Sequence, residues 1–389
     1  MNIGNKGREN CCGCTACANI CPHDAIIMEA DELGFIYPHI NYEKCVDCGL
    51  CVKICQFGTD YQRENKWATP IVYAARLKDR DQLSRSQSGG AFYGLAMQVL
   101  KQNGVVYGAG FAEHFHVAHK RVETYKELED LRGSKYVQSD MRDIFLQVKN
   151  DLKAGRSVLF SGTPCQVSGL QSYVGKKWQP HLYTVDIVCH GVPSPSVWDD
   201  YVNFLDRRNG DRLASANFRD KLYGWQGAKE TFHYKSGKSV TRKTYIDMYF
   251  RHLMHRPSCL ICPYTNMNRC GDLTIGDFWG WDKISTEFND NKGVSLVLIN
   301  SDKGHDLLDE VASQFYLVRS NTKDCLQPQL QHPATAHPKR NAFISDYKKK
   351  GFLYVAKRYG NLGVRYRLAL IKGFVVRRIE CLRLKKIKK

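Results

Sequence analysis

Apolar residues follow two regimes along this chain. Over residues 1–60 they are scattered between cysteines, and little room is left for a core. From Ile71 the pattern becomes that of a mixed α/β protein. IVYAARL (71–77) reads as a strand. Ser88-Gly89-Gly90 introduces a stretch of helical periodicity, Ala91 to Lys101, which Asn103-Gly104 ends. Val105-Val106-Tyr107 starts another strand. Tyr125–Leu131 has the pattern of a short acidic helix, and Met141–Ala154 that of a longer one closed by Gly155. Ser157–Phe160 and Tyr183–Val188 are short buried strands, Phe232–Tyr245 carries a hairpin turn at Ser236-Gly237, and VSLVLIN (294–300) is a strong strand. The polar segment YQRENKWATP (61–70) is the expected linker between the two regimes.

Length and charge refine this picture. At roughly 150 residues per domain, 389 residues make two or three domains. The net charge of +18 is uneven. Residues 346–389 hold 15 Lys or Arg against only Asp346 and Glu380, so the tail accounts for +13 of it. No stretch matches the roughly 20 apolar residues of a membrane span; the run Val364–Val376 is interrupted by Arg365, Arg367 and Lys372. Met1–Asn10 is polar, without the apolar stretch of a secretion signal. With 16 cysteines, nine of them within residues 11–55, a reducing cytoplasm that keeps thiolates available is the expected location.

The cysteine spacing is the most specific signal. Cys11, Cys14, Cys17 and Cys21, followed by Pro22, repeat as Cys45, Cys48, Cys51 and Cys55, with two, two and three residues between successive members. This is the spacing of bacterial two-cluster ferredoxins. Three thiolates on one tight loop reach three corners of a cubane, and the fourth crosses to the other cubane. Cys11, Cys14, Cys17 and Cys55 are therefore assigned to one [4Fe–4S] cluster, and Cys45, Cys48, Cys51 and Cys21 to a second. Small residues such as Gly13, Ala16 and Gly49 let the loops wrap closely. Zinc sites favour paired cysteines separated by a longer loop, which argues against zinc. Gln56 stands where a second Pro is expected, and Cys12 reads as a spare thiol beside a ligand.

Four further cysteines stand out. Cys165 and Cys189 each follow a predicted strand, and Cys259 and Cys262 form a CxxC before Pro263. Sites in open α/β sheets collect at the carboxyl ends of strands. Spacing alone leaves a third cubane and small buried hydrophobes evenly matched, with Cys270 a competing ligand. Cys325 and Cys381 read as incidental.

Several motifs then occur in one order: SQSGGAF (86–92), GSKYVQS (133–139), SGTPCQVSGL (161–170), CHGVPSPSVW (189–198), FRDKLYGW (218–225) and CLICPYTNMNRCGDLTIGDFWG (259–280). With them the chain, from about Cys11 to about residue 335, resembles the beta-subunit family of coenzyme F-420 hydrogenases and dehydrogenases, in its bacterial branch with a fused ferredoxin module. The resemblance implies a flavin-dependent oxidoreductase domain with FAD and one [4Fe–4S] cluster beside it. Matched motif by motif, it implies Cys165, Cys189, Cys259 and Cys262 as ligands of that third cluster and leaves Cys270 aside.

For the flavin, Ser88, Gly89 and Gly90 before a helix, and Lys135 and Tyr136, are the candidate contacts, because helix N-termini and cations favour phosphate. Asp277, Phe278, Trp279 and Gly280 are candidates for a wall of the site. His190 is read as orienting its loop, and His114, His116 and His119 as a polar strand face. Arg219 and Asp220 are either a structural ion pair or a contact for an acidic substrate. The expected fold class is α+β or mixed α/β. A two-cluster ferredoxin domain (1–62) is fused to a beta-subunit-like α/β flavin and iron–sulfur domain, in an N-terminal part (70–155) and a C-terminal part with the third Fe–S site (156–340). A basic helical tail (341–389) follows. Residues 346–389 are expected to dock on an anionic membrane surface, at the inner face of the membrane, or on a partner.

The expected function is an iron–sulfur flavoprotein oxidoreductase that passes electrons between a soluble two-electron carrier and a redox partner protein. Its rivals are a flavin-free electron relay and a scaffold or nucleic-acid-binding protein with structural clusters; nucleic acid is the less favoured partner.

Overall fold

The computed structural model describes residues 2–4, 6–58, 67–364 and 368. The front segment consists of two short helices, Ala16–Ile20 and Leu50–Lys53, and an antiparallel hairpin of β1 (Ile26–Ala30) and β2 (Ile36–Ile40). Its own apolar core is little more than Ile3, Ile40 and Cys51. So small a core cannot offset the entropy of ordering the segment. The rest of its anchorage comes from the larger domain. Leu33 and Phe35 pack with Trp198 and Tyr201, while Ala16 and Ile54 pack with Phe145 and Val167.

The larger domain is built on one mixed sheet. In chain order its first strands are β3 (Ile71–Leu77), β4 (Val105–Phe111), β5 (Val117–Val122), β6 (Val158–Gly162) and β7 (Leu182–Ile187). A separate antiparallel sheet follows, of β8 (Leu213–Asn217), β9 (Glu230–Tyr234) and β10 (Ser239–Arg242). The main sheet resumes with β11 (Leu273–Asp277), β12 (Ser295–Ile299) and β13 (Phe315–Ser320), in the order β13-β3-β12-β11-β7-β6-β4-β5. Its centre, β11-β7-β6-β4, is parallel, and the outer pairings are antiparallel. Every residue of β12 is buried, as its unbroken apolar run requires of a strand covered on both faces.

Side chains alternate across the strands and so divide the core. Val106, Leu159 and Val185 meet the helices Ala91–Lys101 and Asp302–Val311; Val105, Val158 and Phe160 meet Ile144–Lys153 and Pro164–Val174 on the other face. The expected strands and the helix Ala91–Lys101 are found. The helix expected from Met141 starts at Ile144, because Asp140 first pairs its backbone with Val117 and His119.

The basic tail is corrected over its first part. The helix Arg340–Arg358, turned at Gly351 (φ 72°), packs Phe343, Tyr347, Phe352 and Val355 into the same core as the helix Pro195–Asn209 and Tyr245. Lysines are frequent there, but they stand between apolar positions that form a buried stripe. Charge counting therefore hid the buried face of this helix. Residues 365–367 and 369–389, the remainder of the expected membrane-docking segment, lie outside the described residues. No helix among the described residues is long and apolar enough to cross a membrane.

Candidate cofactor sites

Parallel strands β6, β7 and β11 bring their carboxyl ends to one edge of the sheet. Just beyond them lie Cys165, then Cys189 and His190, while Asp277 closes β11. Cys165 is held at the start of the helix Pro164–Val174, whose Thr163 and Gln166 form a capping box and whose Pro164 presets the first turn. Cys259 and Cys262 come from the turn Pro257–Ile261 and the residue after it. Cys165, Cys189, Cys259 and Cys262 line one small cavity of about 30 Å³. Backbone N–H groups point at two of the sulfurs, from Val192 to Cys259 (3.4 Å) and from Gly191 to Cys189 (3.4 Å). Burial pushes the Cys259 thiol up to about 12 and raises Cys189 as well, so a cation must displace these protons to recruit the thiolates. Cys270 does not line this cavity. Its sulfur lies 3.1 Å from the Pro164 carbonyl and 3.4 Å from Asp186 Oδ2.

In the front segment, Cys21, Cys45, Cys48 and Cys51 surround a cavity of about 20 Å³. Cys11, Cys14, Cys17 and Cys55 form a second group. Burial raises the Cys11 thiol, and repulsion from Cys14 and Cys55 adds to it. Cys17 is raised by burial and then by Cys14, Cys11 and Cys55. The fourth cysteine of each run thus sits with the other run's first three. Gly13 (φ 69°) and Gly49 (φ 75°) supply the left-handed turns that fold these loops. Among the described residues no three His, Cys, Asp or Glu side chains converge as they would on one ion. In a cubane each thiolate takes its own iron.

The two departures from the ferredoxin pattern meet at one place. Cys12 is buried, lines the Cys165 cavity and has its sulfur beside those of Cys14 and Cys165, so it stands between the first thiol group and that cavity. Gln56 donates from Nε2 to Cys12 Sγ (3.1 Å) and to the Cys165 carbonyl, and accepts from the Tyr264 hydroxyl. Neither residue was given a role from the sequence. The available signal was that both depart from the motif, and a Pro at 56 has no side-chain donor to offer.

A larger cavity of about 250 Å³ lies on the other side of Cys189-His190-Gly191-Val192, which line both it and the Cys165 cavity. Ser88, Gly90, Lys135 and Tyr136 line it as well. Gly89 does not. Its N–H donates to Ser295 Oγ (2.8 Å), and that same hydroxyl takes the Ala91 N–H. The expected phosphate contact at Gly89 is therefore corrected: the glycine is required because a Cβ there would stand 2.0 Å from the Ala75 carbonyl oxygen of β3. Gly89→Ala is expected to cost about 1–3 kcal/mol by overpacking, read as a lower denaturant midpoint; an unchanged midpoint would show that β3 yields freely.

Lys135 donates to the carbonyls of Asp130 (2.9 Å) and Arg132 (2.7 Å), and burial brings its amine down to about 7. Lys221, which the sequence had not singled out, donates to the Ser88 carbonyl (2.6 Å) and is likewise lowered by burial to about 7. Arg219 pairs with Asp277, not with Asp220, which instead caps the turn at Leu222. Asp277 also accepts from Trp225 Nε1 (2.7 Å) and from Ser88 Oγ. Of Asp277–Gly280, only Asp277 lines the cavity; Phe278 is buried in a separate cluster. His119 faces the cavity, not a polar strand face. It lies between Ser139 and the Ser161 carbonyl, and burial lowers it to about 4. His116 lies instead between Asp140 and Asp199, each 3.9 Å away. Two buried donors in the lining, Gln87 Nε2 and Arg132 Nε, have no hydrogen-bond partner. Orphaned donors with no unpaired carboxylate beside them suit an acceptor-rich, anionic ligand.

Comparison with known proteins matches this division of the chain. Residues 155–324 match the family model for the C terminus of the coenzyme F420 hydrogenase/dehydrogenase beta subunit, and residues 10–59 match the 4Fe–4S dicluster domain. Among curated relatives, one component of the Na(+)-translocating ferredoxin:NAD(+) oxidoreductase complex of Acetobacterium woodii is 43% identical over 53 residues, 13% of this chain and 15% of that protein. Pyruvate synthase subunit PorD of Thermotoga maritima is 42% identical over 48 residues, 12% of this chain and 44% of that protein. The chain thus spans less than half the length of these relatives. Among solved structures, a chain of the F420-reducing [NiFe] hydrogenase complex of Methanosarcina barkeri is similar with a TM-score of 0.45 at 17% identity, covering 78% of this chain and 98% of that one. The two family matches fall on the two structural regions already described: residues 155–324 are similar to the C terminus of the coenzyme F420 hydrogenase/dehydrogenase beta subunit, and residues 10–59 to a 4Fe–4S dicluster domain.

Proposed function

We propose that this protein is an iron–sulfur flavoprotein oxidoreductase that moves electrons between a soluble two-electron carrier and a redox partner protein. The observation that carries the reading is the shared wall. Cys189 to Val192 line both the large cavity and the four-cysteine cavity, and Cys12 then bridges that cavity to the first ferredoxin thiol group. The large cavity, the four-cysteine cavity and the first thiol group thus lie in series, and Cys17 and Cys55 of that group pack in one cluster with Cys45 and Cys51 of the second.

FAD, when bound in the large cavity, would supply the exchange between two-electron and one-electron chemistry. At about 250 Å³ the cavity is near the small end of ligand sites, so it suits the enclosed ring portion of such a group, with the remainder reaching outward. Gln87, Arg132 and Lys135 offer donors to an anionic ligand, and Tyr136 offers a ring. Cys165, Cys189, Cys259 and Cys262 would hold a third [4Fe–4S] cluster. Cys11, Cys14, Cys17 and Cys55, and then Cys21, Cys45, Cys48 and Cys51, would hold the two clusters of the dicluster domain. His190 stays neutral near pH 7, since burial lowers it to about 4, so it orients the wall without adding charge. Cys48 is exposed, which suits the outer site to exchange with a partner.

Anaerobic purification with iron, sulfide and flavin measured on one sample tests this. About twelve irons and one flavin per chain are expected, from three cubanes at four irons each. About eight irons without flavin would leave a dicluster relay and remove the oxidoreductase reading.

A further inference from the structure

Arg256 is fully buried, at 0% exposure, and no carboxylate pairs with it among the described residues. Its Nε donates to the Cys11 carbonyl (2.7 Å), Nη1 to Gln138 Oε1 (2.9 Å), and Nη2 to the Ile36 carbonyl (2.8 Å). Nη2 also lies 3.6 Å from Cys11 Sγ. Tyr37 and Phe35 cover the guanidinium at 4.3 and 5.4 Å. On its other side Arg256 lines the cavity of Cys165, Cys189, Cys259 and Cys262, and its backbone carbonyl accepts the Cys259 N–H (3.0 Å).

A buried cation held only by neutral acceptors and ring faces is costly. Here it stands between two groups of thiols. Each group becomes anionic when its thiolates hold a cubane, and more so when that cubane is reduced. We propose that Arg256 is the countercharge of this junction: it favours the reduced state of the site that Cys11 helps to hold, and so draws electrons from the four-cysteine site into the dicluster domain. In the step, one electron leaves the four-cysteine site and one enters the Cys11 site, with no bond and no proton transferred. The charge of an ion inside a dry junction acts over a short range at full strength, whereas the Cys21/Cys45/Cys48/Cys51 site lies outside Arg256's contacts.

This inference rests on the proposed cluster assignments, and the test separates the two. The cluster-loaded full chain is titrated potentiometrically and followed by electron paramagnetic resonance. Cys48→Ser, at an exposed position, alters one dicluster signal and so labels the outer site. In the unaltered protein the inner dicluster signal is expected to be reduced at a higher potential than the outer one. Arg256→Gln should shift the inner reduction equilibrium at least tenfold towards the oxidised form, a fall of about 59 mV for one electron, and leave the outer signal in place. Arg256→Lys, which keeps the charge, should fall by less. An inner signal that titrates at or below the outer one in the unaltered protein overturns the inference. So does an Arg256→Gln protein with full iron and unmoved potentials. If Arg256→Gln does not retain iron, the order of potentials in the unaltered protein decides. An iron content near eight would remove the four-cysteine site, while the Arg256 shift at the inner site would still be read.

Discussion

The double variant Cys189→Ala/Cys259→Ala is expected to lose about four irons per chain, falling from about twelve to about eight if the proposed third cluster is present, and to keep the dicluster signals. Cys189 follows β7 and Cys259 lies in the turn before β11, so the two changes remove two of the four proposed ligands. The two proposed ligands that remain, Cys165 and Cys262, are too few to hold a cubane. Neither residue belongs to the front segment, whose nine thiols stay in place. Cys325→Ala is the control, since Cys325 is buried in a separate cluster with Trp225 and Leu296 and hydrogen-bonds to the Thr322 carbonyl (3.3 Å). Electron transfer from a soluble two-electron donor to a dicluster acceptor should be lost in the double variant and kept in the control. Iron that remains near twelve in the double variant would show that other side chains hold the third cluster.

Breaking the ion pair of Asp186 and Arg269 is expected to cost about 3–5 kcal/mol. The two side chains are 0% and 1% exposed, and Nη2 lies 2.6 Å from Oδ1. Arg269 also donates to the carbonyls of Tyr264 (2.7 Å) and Ile187 (3.1 Å), and Asp186 Oδ2 accepts the Gly271 N–H (2.8 Å). The pair therefore ties β7, which leads to Cys189, to the loop that follows Cys262. Arg269→Met leaves a buried carboxylate without its partner, and Asp186→Asn leaves a buried guanidinium. Either should lower the denaturant midpoint sharply and release iron from the four-cysteine site before the dicluster site. Replacing both by apolar residues, Asp186→Leu with Arg269→Met, should recover part of the loss, because no charge is then stranded. Single variants as stable as the unaltered protein would mean that water reaches the pair.

Much of the architecture was legible because it rests on local patterns. β12 was visible as an unbroken apolar run and the helix Ala91–Lys101 from its period and flanking glycines. The helix Arg340–Arg358 was read as the start of a basic helical tail that docks on a membrane or partner, since its buried stripe is diluted by lysines and interrupted at Gly351. The glycine pair before the helix Ala91–Lys101 was legible as a backbone constraint, but not its purpose. Whether a glycine approaches a phosphate or a neighbouring strand depends on which strand lies beside it, and β3 and β12 meet there from positions far apart in the chain. Arg219 was read as a structural pair with Asp220 or a contact for an acidic substrate, yet its partner, Asp277, stands 58 residues away.

By itself the sequence determined the covalent chemistry on offer. Two runs of cysteines at fixed spacing can fold only into tight loops that present their thiols together, so the dicluster domain is encoded locally. The family motifs likewise carry short segments in order. Adjacency was decided by the tertiary structure alone. The parallel order of β4, β6, β7 and β11 brings Cys165, Cys189 and Asp277 to one edge, and docking of the front segment places Cys12 against Cys165 and Arg256 against Cys11. Electrons and buried charges respond to distance through space, and distance along the chain does not set it.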